Sequence, residues 1–189
     1  MIFANAKVCD DNFCLIDANI EIEGDKISRL NSNISGDSDR EDLTGCLIIP
    51  GLIDLHIHGC AGADTCDGTQ EALQKMSVYL AAHGVTSFCP TTMTIPHFEL
   101  RKVLGNVQDF VSKDPPGALV IGVHMEWPYI SPEMRCAQKS EHIRCQDWND
   151  FSELVEKYPG IIKIVDIAPE TPNAISFIEK ACEICTVSM

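Results

Sequence analysis

Short runs of alternating apolar and polar residues occupy the first 50 positions of the chain. Turn residues such as Asp10-Asp11-Asn12 and Gly24-Asp25 separate the runs, a pattern typical of β-strands joined by hairpins. The polar segment 31–42 contains one large apolar residue, Ile34, and therefore predicts an exposed loop. We interpret residues 1–50 as the strands of a small β-sandwich domain. The predicted strands cover 3–8, 14–16, 19–23, 26–30 and 46–49.

After Pro50 the pattern changes to strands that alternate with helices. Apolar residues at helical spacing, such as Leu73, Met76 and Leu80, predict helices between short apolar strands. The predicted strands are 52–58, 85–89, 118–126, 161–168 and the start of one at 186, and the predicted helices are 69–83, 96–113, 147–158 and 173–185. Such alternation is typical of a parallel sheet with right-handed crossovers. A complete eight-unit barrel needs roughly 250 residues. We therefore expect 51–189 to form the first half of a (β/α)8 TIM-like barrel that is truncated at Met189.

The ends of the predicted strands carry the candidate chemistry. His56 and His58 share a face because side chains alternate along a strand, and Glu126 ends the third strand. Two imidazoles and a carboxylate can bind a catalytic divalent metal. The alternatives stay open: the histidines merely finish a strand, and Glu126 forms a salt bridge in a loop. His124 faces the same way as Glu126 and is expected to be a buried, hydrogen-bonded core histidine or a support for the site.

Composition and charge exclude several classes of protein. With 45% hydrophobic and 22% charged residues the chain can bury a core. A net charge of −14 argues against nucleic acid binding, which needs clustered cations. No apolar stretch approaches the roughly 20 residues of a membrane span, and the start lacks signal-peptide features. We expect a cytoplasmic protein whose ten cysteines are reduced.

Four segments in chain order resemble the successive signatures of the N-acetylglucosamine-6-phosphate deacetylase family of the amidohydrolase superfamily. The first covers 50–69 and begins with Pro-Gly-Leu-Ile-Asp-Leu-His-Ile-His-Gly. The second, at 84–94, is Gly-Val-Thr-Ser-Phe-Cys-Pro-Thr-Thr-Met-Thr. The third, at 122–133, contains His-Met-Glu-Trp-Pro, and the fourth is Ile-Ala-Pro-Glu at 167–170. Together they make the resemblance far more specific than any single motif does.

The resemblance implies a function and a set of site residues. Glu126 would bind the catalytic divalent metal (Zn, Fe, Mn or Co), and His56 and His58 would bind a second ion in members that use two. Ala137 and Gln138 would lie beside the sugar. The implied reaction is metal-assisted hydrolysis of N-acetyl-D-glucosamine 6-phosphate to D-glucosamine 6-phosphate and acetate. The implied partner is this small sugar phosphate, and the full-length protein would form a homodimer.

The chain departs from the family pattern at two positions. Trp127 and Cys136 stand where the family has glycine, and we expect the Trp127 ring to crowd the substrate or displace Glu126. The family's later metal histidines, its phosphate-binding arginine and its catalytic aspartate lie beyond Met189, so we expect the isolated chain to be inactive. The alternatives are a different amidohydrolase, or a non-catalytic fragment of the deacetylase.

Overall fold

The computed structural model describes residues 1–34, 39–126, 128–135 and 138–189. Their contacts divide the chain into two compact units, Met1–Pro50 and Gly51–Met189. Among the described helices, none is long and apolar enough to cross a bilayer. The nine cysteines of the described ranges are free thiols.

The described residues of the first unit form one five-stranded sheet. Its strands are β1 (Ile2–Cys9), β2 (Leu15–Glu23), β3 (Lys26–Asn31), β4 (Arg40–Asp42) and β5 (Leu47–Ile48). The order is β3, β2, β1, β4, with β5 also paired to β1, and the pairs of β1 with β4 and β5 are parallel. Alternate side chains of β1 and β2 form a small core, as the period-two pattern predicts: Ala6, Val8, Ala18 and Ile20.

Strand β4 corrects the predicted loop over 31–42. All three of its side chains are exposed, so no hydrophobic pattern marks it. It is a strand because its backbone pairs with β1: Ile2 lies opposite Arg40, and the Ile2 N–H donates to the Asp39 carbonyl at 2.7 Å. Residues 35–38 of the predicted loop lie outside the described ranges.

The second unit alternates strands and helices as predicted. Its strands are β6 (Leu52–Ile57), β7 (Gly59–Cys60), β8 (Ala63–Asp64), β9 (Val85–Pro90), β10 (Leu119–Val120), β11 (Val123–Met125), β12 (Ile162–Asp166) and β13 (Thr186–Ser188), and its α-helices are α1 (Gln70–Ala82), α2 (His97–Val111), α3 (Trp148–Lys157) and α4 (Ala174–Ala181). Two parallel three-stranded sheets have the orders β10-β9-β6 and β11-β12-β13. A parallel bridge between Thr91 and His124 connects them.

The third predicted strand, 118–126, is broken in two. Its first part, β10, pairs with β9, whereas its second part, β11, pairs with β12. Gly122 between them has φ +143, and a Cβ there would lie 2.7 Å from the Ile161 carbonyl oxygen. The change of partner therefore requires glycine. The strands of the described residues form no closed barrel, so the TIM-barrel prediction is not confirmed.

Local signals set the helix ends, and the helices cover one core. The Thr69 hydroxyl accepts a hydrogen bond from the Ala72 N–H at 3.2 Å and caps α1, while Gly84, with φ +83, follows its C-terminus. Helices α1 and α2 bury their apolar faces against β9 and its neighbours. Fully buried members of this core include Leu73, Met76, Leu100, Leu104, Val107, Phe88, Val123, Met125 and Val165.

Candidate metal centre

The structure brings His56, His58 and Glu126 together. Strand β6 ends at Ile57, and the two imidazoles lie on one side of it, with their Nε2 atoms 3.3 Å apart. Glu126 follows β11 directly, and its Oε2 lies 3.1 Å from His58 Nε2 and 4.0 Å from His56 Nε2. The three side chains are partly exposed, so an ion and a substrate could reach them from solvent.

These distances fit three donors of a single ion. With metal bonds of roughly 2.0–2.2 Å, two ligand atoms lie roughly 3.0 Å apart at a right angle and roughly 4.2 Å apart when opposite. The observed separations of 3.1, 3.3 and 4.0 Å fall within that range. Nitrogen and carboxylate oxygen are also the donors that zinc and related divalent metals take in catalytic sites.

The contact of His58 with Thr91 leaves the lone pair of His58 Nε2 available to bind a metal ion. His58 Nδ1 lies 3.2 Å from the Thr91 carbonyl oxygen, which can only accept, so Nδ1 carries the proton. The neutral ring then has its lone pair on Nε2, directed toward Glu126. The Thr91 hydroxyl accepts from the Ile57 N–H at 3.0 Å and so holds the end of β6 in place.

A second group of titratable side chains lies beside the first. His124 is buried, with Nδ1 2.8 Å from the Leu55 carbonyl oxygen and Nε2 3.1 Å from Asp166 Oδ1. Its ring contacts that of His56, with centroids 4.6 Å apart. Donor atoms of His56, His124 and Asp166 lie within 4.8 Å of one another. His124 is therefore a buried, hydrogen-bonded histidine, as predicted, and its ring packs against that of His56.

The electrostatics of this second group favour an ion pair. Burial disfavours a charged His124, but its hydrogen bonds to Asp166 and to the Leu55 carbonyl outweigh burial, and the net pKa of His124 is raised. Burial raises the pKa of Asp166, whereas its hydrogen bonds to His124 and Ser188 lower it more, and the net pKa is lowered. Both ring nitrogens of His124 thus donate to acceptors. Asp166 ends β12, and no motif in the sequence assigned it a role.

Gln138 contacts Glu126 in this structure. Its Nε2 donates to Glu126 Oε2 at 2.9 Å, and its Oε1 accepts from the backbone N–H and the hydroxyl of Thr94. Three positions singled out in the sequence, Trp127, Cys136 and Ala137, lie outside the described residues. No residue-spacing signal pointed to Thr94 as a partner of Gln138, although Thr94 closes the second signature segment, 84–94.

Comparison with known proteins adds to this geometry. Residues 47–187 match the model of the amidohydrolase family. The chain belongs to the amidohydrolase family. The match begins at β5 and ends within β13, so it includes the whole group around His56, His58 and Glu126.

Two curated relatives and one solved structure are similar to this amidohydrolase chain. N-acetylglucosamine-6-phosphate deacetylase of Bacillus subtilis (strain 168) is 39% identical over 127 residues, which is 66% of this chain and 32% of the relative. N-acetylgalactosamine-6-phosphate deacetylase of Escherichia coli O157:H7 is 32% identical over 132 residues, 70% of this chain and 35% of the relative. The crystal structure of N-acetylglucosamine-6-phosphate deacetylase from Thermotoga maritima has a TM-score of 0.82 at 28% identity, covering 100% of this chain and 48% of that one.

These comparisons establish the family and the mixed α/β fold. The chain spans about a third of the length of the curated relatives it matches.

Proposed function

We propose that this chain forms part of a metal-dependent deacetylase that converts N-acetyl-D-glucosamine 6-phosphate to D-glucosamine 6-phosphate and acetate. The observation that carries the proposal is the convergence of His56, His58 and Glu126 at distances that suit one divalent ion. The similarity to deacetylases of two amino-sugar phosphates supports the choice of reaction.

The proposal assigns a task to each residue of the centre. His56 and His58 offer neutral nitrogen donors, and Glu126 offers a negative oxygen that offsets part of the charge of a divalent ion. A bound divalent metal supplies a Lewis acid for the acetamide carbonyl and acidifies a water molecule. The Thr91 carbonyl keeps the proton of His58 on Nδ1, so that Nε2 stays free to bind. The proposal assigns no residue of this chain as the donor of a proton to the leaving amine.

The architecture is proposed together with the function. Residues 1–50 belong to a small β-sandwich domain, and 51–189 form the first half of an amidohydrolase (β/α)8 barrel. The parallel strands β6, β9, β11, β12 and β13 follow one another in chain order, as successive barrel strands do. The ends of β6 and β11 then meet at the C-terminal face, where barrel enzymes place their chemistry.

Binding measurements on the purified 189-residue chain test the proposed centre. We expect one Co²⁺ per chain, detected by its visible absorption and by calorimetry. His58→Ala and Glu126→Gln should each weaken Co²⁺ binding by at least roughly tenfold. That is the smallest loss of metal affinity typical of removing a residue that only hydrogen-bonds to a metal ligand. His142→Ala is the matched control and should leave the affinity unchanged, because the ion pair that the described structure shows for His142 is with its neighbour Glu141, 3.6 Å away.

The substrate is tested on the Co²⁺-loaded chain. Binding of N-acetylglucosamine 6-phosphate is compared with that of glucose 6-phosphate, which lacks the acetamide, and of the galactosamine epimer suggested by the second relative. We expect the acetamido sugars to bind more tightly than glucose 6-phosphate. Equal binding of all three sugars, or no Co²⁺ binding, would contradict the proposal.

A further inference from the structure

The side chain of Gln138 is buried between two segments that follow different strands. Only 6% of the residue is exposed, and its backbone is held by Arg135, which accepts from the Gln138 N–H at 3.0 Å and donates from its guanidinium to the Gln138 carbonyl at 3.1 Å. The carboxamide lies between Thr94, which follows β9, and Glu126, which follows β11. It therefore connects the two strand ends at the candidate metal centre.

The hydrogen bonds around Gln138 leave one orientation for its carboxamide. The Thr94 N–H donates at 2.8 Å and the Thr94 hydroxyl at 2.7 Å to the same atom, which must be the oxygen Oε1. The Thr94 hydroxyl is free to donate there because it accepts from the Lys139 N–H at 2.7 Å. The amide Nε2 must then face Glu126, where it donates to Oε2 at 2.9 Å.

We propose that Gln138 is a positioning residue that holds Glu126 in the orientation in which its Oε2 faces His58. The inference rests on the proposed function, since it concerns the metal-binding carboxylate. Oε2 of Glu126 has two lone pairs, and the Gln138 amide donates to one of them. The other lone pair remains for an ion shared with His58, whose Nε2 lies 3.1 Å from Oε2. A carboxylate fixed before the ion arrives loses less conformational freedom on binding it.

This role differs from the contact with the sugar that the family resemblance implies for Gln138. Its oxygen already accepts two hydrogen bonds from Thr94, and its amide nitrogen donates to Glu126 and lies 3.6 Å from the Met93 sulfur. All its polar capacity is therefore used within the protein. The task proposed here for Gln138 is to position Glu126, and its place beside the sugar stays a prediction.

The first test uses the unaltered chain without metal. In NMR spectra we expect nuclear Overhauser effects between the Gln138 side-chain amide protons and the Glu126 methylene protons, with slow exchange of those amide protons. If the Gln138 amide exchanges as fast as the partly exposed amide of Gln74 and shows no contact with Glu126, the inference is wrong whether or not the chain binds metal.

The second test measures the Co²⁺ affinity and visible spectrum of variants that keep their thermal stability. Gln138→Met retains length and loses both hydrogen-bonding groups, and it should weaken Co²⁺ binding by about 10 to 100-fold and change the spectrum. Thr94→Val should have a smaller effect in the same direction, and Thr94→Ser, which keeps the hydroxyl, should restore the parent affinity. Gln74→Met, on the surface of α1, is the control.

The results separate this inference from the proposed function. If the parent binds Co²⁺ and both Gln138→Met and Thr94→Val bind it within twofold of the parent, the positioning role is refuted while the metal centre stands. If the parent binds no Co²⁺, the proposed centre and the role of Gln138 in it both fail. Should Gln138→Met not fold, the two Thr94 variants decide the question.

Discussion

Ser77 and Ala118 are joined by two hydrogen bonds that fasten α1 to the beginning of β10. The Ser77 hydroxyl donates to the Ala118 carbonyl at 2.7 Å, and the Ala118 N–H donates to the Ser77 carbonyl at 3.0 Å. Both residues are buried, so these bonds satisfy polar groups that water cannot reach. The close approach depends on Gly117, next to Ala118.

Gly117→Ala should destabilise the second unit. Gly117 has φ +127, which side chains rarely adopt, and a Cβ there would lie 2.2 Å from the Ser77 hydroxyl and 2.9 Å from its backbone carbon. Backbone atoms cannot move aside cheaply, so we expect a loss of about 1–3 kcal/mol in the free energy of unfolding. Urea denaturation followed by tryptophan fluorescence measures it.

Gly105→Ala provides the matched control with the opposite expected sign. Gly105 lies inside α2, where a Cβ would make ordinary contact with the Tyr158 ring at 3.5 Å. Alanine favours a helix over glycine by about 0.5–1 kcal/mol, so this variant should be stabilised. An equal loss in both variants would show that the Ser77 contact is not the cause.

Tyr129→Phe should leave the free energy of unfolding unchanged or raise it by about 1 kcal/mol. The Tyr129 ring is buried against Phe177, with centroids 4.8 Å apart, but its hydroxyl has no hydrogen-bond partner among the described residues. Phenylalanine keeps the packing and removes an unsatisfied polar group. Burial also raises the pKa of the Tyr129 hydroxyl, in keeping with the apolar surroundings.

Tyr158→Phe is the comparison for the Tyr129 variant. The Tyr158 hydroxyl donates to the Arg101 carbonyl at 2.9 Å, so its removal should cost about 0.5–1.5 kcal/mol. Thermal and urea unfolding of both variants give the two values. A loss for Tyr129→Phe as large as that for Tyr158→Phe would mean that the Tyr129 hydroxyl is satisfied in solution.

Acid should weaken the first unit through Glu21. The hydrogen bond from Arg29 holds the pKa of the Glu21 carboxyl below its usual 4.5, and this outweighs the opposing effect of burial. A carboxyl with a lowered folded pKa stabilises the protein above its unfolded pKa, so this stabilisation is lost as the pH falls below 4.5 through the folded pKa. Glu21→Gln should flatten the dependence of stability on pH below 4.5.

The methyl NMR signal of Ile20, in the core of the first unit, reports this unfolding in urea at each pH. Glu41→Gln, an exposed change on β4, is the control and should keep the parent's acid sensitivity. The range from about pH 5 to about pH 3 brackets the ordinary carboxyl pKa of about 4. If Glu21→Gln and the parent lose stability equally over this range, the ion pair of Glu21 with Arg29 does not cause the acid sensitivity.

The helices of this protein could be predicted from sequence because their signals are local. Helix α1 was expected over 69–83 and spans Gln70–Ala82, since Thr69 caps its start and Gly84 follows its end. The placement of His56 and His58 on one side of a strand also follows from local geometry, because side chains alternate with a period of two. The predicted strand over 118–126 failed at Gly122, where the chain changes from one strand partner to another.

Tertiary structure alone decided the partners of backbone and polar groups. Strand β4 is held by its backbone pairing with β1, and its exposed side chains show no hydrophobic pattern that would predict the pairing. The resemblance implied only that Gln138 lies beside the sugar, and its hydrogen bonds to Glu126 and Thr94, 12 and 44 residues away along the chain, became visible only in the structure. Hydrophobic periodicity can be read from residues that are close together in the sequence. A hydrogen bond between distant residues depends on the path and register of every strand between them.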